Sequence, residues 1–226
     1  MTADRREIPI GDGKAVSAVV FYPHTPAPGP RTAVVLAHGA GNDMSNPFLS
    51  AVHQGLADRG YLAVKFNFPY KERGGRAPDP PAVLQACYRR VIAAIRSDPE
   101  MTPQRIVIGG KSLGGRMASH VAAQGEDVAG LIFLGYPLHP ARKTDQLRVA
   151  HLDGIRVPML FFAGTRDPLC NLELLRQTLK TLPSATTLHV IDGGDHSFVV
   201  PKALRREPAA IWNEIVAVSA QWLQAL

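Results

Sequence analysis

Short apolar runs rich in β-branched residues alternate along the chain with longer amphipathic or alanine-rich stretches. A strand buried on both faces reads as a continuous apolar run, while the helix that crosses back over it shows a single apolar stripe. The alternation therefore marks βαβ units building a mostly parallel sheet. It predicts strands over Ala15–Tyr22, Thr32–Ala37, Leu62–Phe68, Arg105–Gly109, Gly130–Leu134, Pro158–Ala163 and Thr187–Ile191. Helices are predicted near Pro47–Arg59, Pro80–Ser97, Leu113–Gln124, Leu172–Thr181 and Glu207–Ala225. Pro26-Ala-Pro-Gly-Pro30 separates the first two strands, and Arg73-Gly-Gly-Arg-Ala-Pro-Asp-Pro-Pro81 forms a long polar loop. There is no internal repeat and no linker, so residues 1–226 are expected to form one α/β domain. The stretch between Leu134 and Pro158 leaves little room for a cap.

Composition narrows this picture. The 226 residues are 46% hydrophobic and 19% charged, a globular balance in a chain long enough for a full core. The two cysteines, Cys87 and Cys170, argue against a disulfide framework and for packed thiols in a reducing compartment. The first residues lack the apolar stretch of a secretion signal, so a cytoplasmic location is expected. The densest apolar run, Leu131 to Leu138, is too short to cross a membrane and reads as a buried strand. The net charge is +6, but the basic pairs Arg5-Arg6, Arg89-Arg90 and Arg205-Arg206 are scattered and have no interleaved aromatics. They read as solvated surface, with no nucleic-acid partner. No side-chain cluster has metal-ligand spacing, and Gly109-Gly-Lys-Ser lacks the upstream glycine of a phosphate-binding loop, so neither metal nor cofactor is expected. Oligomeric state has no signature in the sequence.

The chemistry is concentrated at strand ends. Gly110-Lys-Ser112-Leu-Gly114 is a G-x-S-x-G motif directly after an apolar strand and directly before an alanine-rich helix, the setting in which a serine is lifted clear of a sheet by a sharp turn. A serine needs a base, and His196 stands in the Gly-rich loop Asp192-Gly-Gly-Asp-His196-Ser-Phe198 after the last predicted strand. Asp167, in the loop after Pro158–Ala163, is the candidate to accept the His196 Nδ1 proton. Asp192 and Asp195 stand too close to the histidine in sequence and are expected to shape its loop. The oxyanion hole is expected from the N–H of Leu113 and that of Ala40, with Gly41 as second choice, in the loop after Thr32–Ala37. In the same loop His38 is expected to act as a prop. Gly41, Lys111, His139 and Phe198 are candidate substrate-lining residues. Lys111 and Arg116, with Lys71, Arg73 and Arg76 in the long loop after Leu62–Phe68, raise a preference for negatively charged esters, set against the ordinary reading of solvated side chains.

His38-Gly-Ala-Gly-Asn-Asp-Met44, Pro69-Tyr-Lys-Glu-Arg73, Gly110-Lys-Ser-Leu-Gly-Gly-Arg-Met117, Gly135-Tyr-Pro-Leu-His139 and Asp195-His-Ser-Phe198 together resemble the α/β-hydrolase superfamily, most nearly its small, uncapped dienelactone-hydrolase-like group. The resemblance spans about Val34 to Phe198. It implies the α/β-hydrolase fold, a mostly parallel sheet with helices on both faces and no sizeable cap. It also implies Ser112, Asp167 and His196 as triad, with Leu113 and Ala40 as oxyanion donors. Dienelactone hydrolases proper use a cysteine nucleophile where this chain has Ser112, so lactone specificity does not carry over. The expected activity is hydrolysis of a small-molecule carboxylic ester, or a related thioester or lactone, through an acyl-enzyme. The alternatives are a catalytically silent interaction module on the same fold and an acyltransferase using the same triad.

Overall fold

The computed structural model describes residues 3–226. Its eight strands form one sheet in the order β1-β2-β4-β3-β5-β6-β7-β8. An antiparallel hairpin of β1 (Ala3–Gly11) and β2 (Lys14–Phe21) adds antiparallel to β4 (Leu62–Phe66). From there β3 (Thr32–Ala37), β5 (Arg105–Lys111), β6 (Gly130–Leu134), β7 (Met159–Gly164) and β8 (Thr186–Ile191) continue in parallel. The helices are α1 (Pro47–Asp58), α2 (Pro69–Glu72), α3 (Pro81–Ser97), α4 (Leu113–Ala123), α5 (Leu172–Thr181) and α6 (Pro208–Gln224).

Side chains on a strand alternate between faces, and the central strands are apolar at every position, so each supplies two cores at once. Ala33, Val35 and Ala37 of β3, Phe133 of β6 and Phe161 of β7 face α3, α4 and α5. Val34, Leu36, Ile132, Leu134 and Phe162 face α1 and α6. The expected α/β-hydrolase architecture is the one found. Between β6 and β7 the described chain holds only loop and a 3-10 turn, Ala150–Gly154, and no cap.

Two elements were not expected. β1 carries charge at Asp4, Arg5, Arg6 and Glu7, and only its Ile8 is buried, as suits an edge strand that must resist pairing with another chain. Its signal was the Gly11-Asp12-Gly13 turn, all three residues at positive φ, which closes the hairpin. α2 is a single turn begun by Pro69. The basic pairs are partly neutralised: Arg6 meets Asp4 and Glu100 at 2.6 and 2.7 Å, and Arg206 pairs with Glu214. Cys87 and Cys170 are buried free thiols, both pushed up to about 12 by burial.

β3 lies between β4 and β5, so the chain leaves it in one direction and returns on the other side. The loops after β3 and β5 diverge there and open a crevice at the carboxyl edge of the sheet. Beneath that crevice Tyr88 of α3 reaches into the sheet. Its hydroxyl accepts from Gly109 N at 3.1 Å and has Val35 O and Gly109 O at 2.8 and 2.6 Å for its own proton. Removing it strands a buried backbone donor. Tyr88→Phe is expected to lose about 1–3 kcal/mol in urea unfolding; an unchanged midpoint would show the hydroxyl to be dispensable.

Histidine also holds the frame together. His53 of α1 is fully buried, with Nε2 2.8 Å from Ala63 O and 3.2 Å from Val19 O. Burial pulls its imidazole down to about 3 and that of His151, in the 3-10 turn, to about 4. The unfolded chain protonates these rings near the ordinary value of 6.5. Between 6.5 and those lower values the unfolded state therefore binds more protons, and stability is lost as pH falls. For His53 the loss approaches about 1.4 kcal/mol per pH unit. The unfolding midpoint should drop steadily from pH 6.5 to pH 4, and a flat profile over that range would contradict the assignment of His53 as a buried neutral ring.

Candidate active site

One residue, Ser112, separates the end of β5 from the start of α4, at φ 50° and ψ −110°. Few residues other than glycine sit at positive φ, and a serine held there costs about 1–3 kcal/mol that its surroundings must supply. The turn is pressed onto the end of β3. A Cβ at Gly110, itself at φ +147°, would lie 2.2 Å from Ala37 O, and one at Gly114 would lie 2.3 Å from the same oxygen. Ser112 N donates to Leu134 O at 3.2 Å, which ties the turn to β6 as well. Although Ser112 occupies the N-cap position of α4, its hydroxyl makes no capping bond.

That hydroxyl instead meets His196. Ser112 Oγ lies 2.8 Å from His196 Nε2, and His196 Nδ1 lies 2.7 Å from Asp167 Oδ2. With Nδ1–H donating to the carboxylate, Nε2 is left as acceptor for the serine proton. Asp167 has no exposed side-chain surface, and its second oxygen accepts from Leu169 N at 2.8 Å, so the carboxylate cannot turn away. The loops after β5, β7 and β8 thus bring together the serine, aspartate and histidine that the sequence placed at three separate strand ends. Asp195 accepts from Ser197 N and Val199 N at 2.8 and 2.9 Å, and Asp192 accepts from Thr165 Oγ1 at 3.4 Å, so both brace their loops.

A second serine–histidine contact shows what the first has in addition. Ser119 Oγ is 2.7 Å from His151 Nε2, but Ser119 is fully buried and gives its proton to Arg116 O at 2.7 Å. His151 is stacked on His120 with ring centroids 3.7 Å apart, and burial lowers the pKa of both rings. Among the described residues no carboxylate within ion-pair distance orients His151, so this pair is framework.

Loop 38–46 borders the nucleophile: a Cβ on Gly39 would stand 3.6 Å from Ser112 Cβ. His38 Nδ1 donates to Gly39 O at 2.8 Å and Nε2 accepts from Phe68 N at 3.1 Å. Both nitrogens are occupied and burial lowers the pKa of the ring, so His38 is a neutral prop. Tyr70 Oη donates to Ala40 O at 2.9 Å and holds that part of the loop. The Leu113 N–H, in the first turn of α4, has no carbonyl to meet within the helix. The positive end of the helix dipole lies at the same place. Gly41 is exposed, with open space where a side chain would be.

Beside the nucleophile a cavity of about 60 Å³ is lined by His38, Gly39, Asn42, Asn46, Phe48, Leu49, Lys111 and Ser197. Of the candidate lining residues, Lys111 is there. Phe198 stands behind the wall, its ring 5.4 Å from that of Phe48. His139 is elsewhere: its ring is buried, with Nδ1 2.9 Å from Pro140 O and Nε2 accepting from Asn171 N at 3.0 Å. It clamps the loop that carries Asp167 and is not part of the cavity lining. Arg73, raised with Lys71 and Arg76 as a possible substrate contact, pairs with Asp79 at 2.5 Å. Asn42, Asn46, Phe48, Leu49 and Ser197 were not anticipated. Asn42 falls within His38-Gly-Ala-Gly-Asn-Asp-Met44 and Ser197 within Asp195-His-Ser-Phe198, whereas Asn46, Phe48 and Leu49 lie in no motif.

Solved structures share this architecture. The chain is similar to a dienelactone hydrolase from Anabaena variabilis (18% identity, 99% of this chain and 97% of that one, TM-score 0.78). It is also similar to an α/β serine hydrolase without a lid from Xanthomonas campestris (18%, 98% and 95%, TM-score 0.75). A third likeness is to an α/β serine hydrolase homologue from Coxiella burnetii (19%, 96% and 97%, TM-score 0.74). At such identities the likeness is one of fold. Residues 30–224 match the family described as an alpha/beta hydrolase domain, and with most of its length so matched the chain belongs to that family.

Proposed function

We propose that this protein is a serine hydrolase that cleaves a carboxylic ester through an acyl-enzyme on Ser112. The observation that carries the reading is the continuous hydrogen-bonded line from Ser112 Oγ through His196 to the buried Asp167, at 2.8 and 2.7 Å, with the serine held in a strained turn. Family membership supports hydrolase chemistry. The ester and the roles of individual residues are our reading of the geometry.

Ser112 Oγ attacks the carbonyl carbon as its proton passes to His196 Nε2. Asp167 stabilises the imidazolium and holds the ring in the required tautomer. The carbonyl oxygen, now negative, rests on the N–H groups of Leu113 and Ala40, where each donor contributes about 10²–10³-fold in rate. Collapse of the tetrahedral adduct breaks the bond to the leaving oxygen, which takes the proton from Nε2. Water then attacks the acyl-enzyme, again giving its proton to Nε2, and the second collapse returns Ser112 and releases the acid.

Incubation with a small fluorophosphonate tests the reading without knowledge of the substrate. Intact-mass analysis is expected to show one adduct on the wild type and none on Ser112→Ala. Absence of an adduct on folded wild-type protein would reject the hydrolase reading and favour a silent interaction module. On an ester that the wild type turns over, Asp167→Asn is expected to lower kcat by about 10³–10⁴ through the wrong histidine tautomer. A loss under tenfold would remove Asp167 from the mechanism.

A further inference from the structure

Lys111 stands next to the nucleophile, yet the mechanism gives it nothing to do. Its stem runs along the loop after β3, where Cγ would be 3.5 Å from a Cβ on Gly39. Its Nζ is shut off from solvent with no hydrogen-bond partner among the described residues. Around it stand the Phe198 ring, 5.8 Å from Nζ to centroid, and the bare α-carbon of Gly135, where a Cβ would come within 3.1 Å. The same Cβ would lie 3.7 Å from His196 Cε1, so the ammonium and the base share one small space. Asp167 and Asp195 attract the charge from a distance, but neither is within ion-pair range.

A desolvated ammonium without a counter-charge is unstable by several kcal/mol, and a fold keeps one only where something offsets it. Here the neighbouring carboxylates are already committed, Asp167 to His196 and Leu169 N, Asp195 to its loop. The rest of the cavity wall suits an anion. Asn46 uses Oδ1 to cap α1 at Leu49 N, so its remaining polar group is the donating amide nitrogen. Ser197 adds a hydroxyl, while Phe48 and Leu49 offer an apolar side to a short carbon chain. A cavity of about 60 Å³ has room for a compact group such as a carboxylate.

We propose that Lys111 is the anion anchor of the substrate site: its stem lines the cavity, its Nζ turns from beside the Phe198 ring into it to meet an anion, and the preferred substrate is a short ester carrying a carboxylate that pairs with Nζ. This rests on the hydrolase reading and narrows it. Burial draws the free ammonium down to about 8, so the anchor weakens as pH rises past that value. Titratable groups on the elements around it include Asp167, Asp195 and His196, with His38 and Asp43 in the loop after β3 and Lys71 and Glu72 of α2 beside that loop.

Equilibrium binding separates this inference from the chemistry, because it needs no turnover. Calorimetric titration of the Ser112→Ala protein with monomethyl glutarate and with dimethyl glutarate compares one skeleton with and without the charge. The monoanion is expected to bind at least tenfold more tightly at pH 7, and the preference to vanish in the double variant Ser112→Ala/Lys111→Met. Equal affinity for the two ligands, or a preference that survives Lys111→Met, overturns the proposal. If the double variant does not fold, the pH series on Ser112→Ala decides. The monoanion's advantage should begin to fall above pH 8, and an advantage constant to pH 10 excludes Lys111 as its source. Fluorophosphonate labelling with no charge preference would leave the hydrolase and remove the anchor. Charge-selective binding without labelling would leave a carboxylate-binding site and remove the hydrolase.

Discussion

The carbonyl oxygen at the end of β3 is the fixed point against which the site is built. Ala37 O lies where a Cβ of either Gly110 or Gly114 would have to go, so the turn between β5 and α4 can approach β3 only without those atoms. Once it has approached, the chain has a single residue in which to change from extended to helical, and Ser112 takes the strained positive-φ conformation that results. The strain persists because the surroundings over-determine it. Leu134 O receives the serine N–H, Tyr88 receives that of Gly109, and the helix begins at once. The same contact sets the loop after β3 against the serine, so one steric exclusion places both the nucleophile and the loop that borders it.

The histidines divide along a physical line. His38, His53, His139 and His151 bond to backbone groups or to a serine that has already given up its proton. All four serve as spacers between elements, and burial lowers the pKa of the His38, His53 and His151 rings. His189 pairs with Glu214 at 2.7 Å on the outer strand. Among the described residues His196 alone links a buried carboxylate on one side to a serine hydroxyl on the other. The partner on the second nitrogen, more than burial, separates a ring that can cycle a proton from one that cannot.

Most of the architecture was legible because strands such as Thr32–Ala37 and Gly130–Leu134 are buried on both faces and cannot be anything but apolar throughout. β1 was hidden for the opposite reason, since an edge strand meets the core at one position and spends the rest on charge. Within the site, residues that stand at strand ends could be placed from their address. Those that line the cavity could not, because Asn46, Phe48 and Leu49 reach it only through the packing of α1 against the loop around Phe198. His139 was misassigned to the lining because its role depends on how the loop from Asp167 to Asn171 folds back, which no local pattern encodes.

The bare crossover between β6 and β7 bears on the timing of a reaction cycle. Enzymes that close a lid over the substrate often turn over no faster than that lid reopens. Here the described chain offers a loop and one short turn in the place where such a lid would be inserted. On the proposed mechanism, nothing large must swing aside between one turnover and the next. The tempo would then be set by bond making and breaking at Ser112, and shielding of the acyl-enzyme from stray nucleophiles would fall to the fixed walls of the cavity.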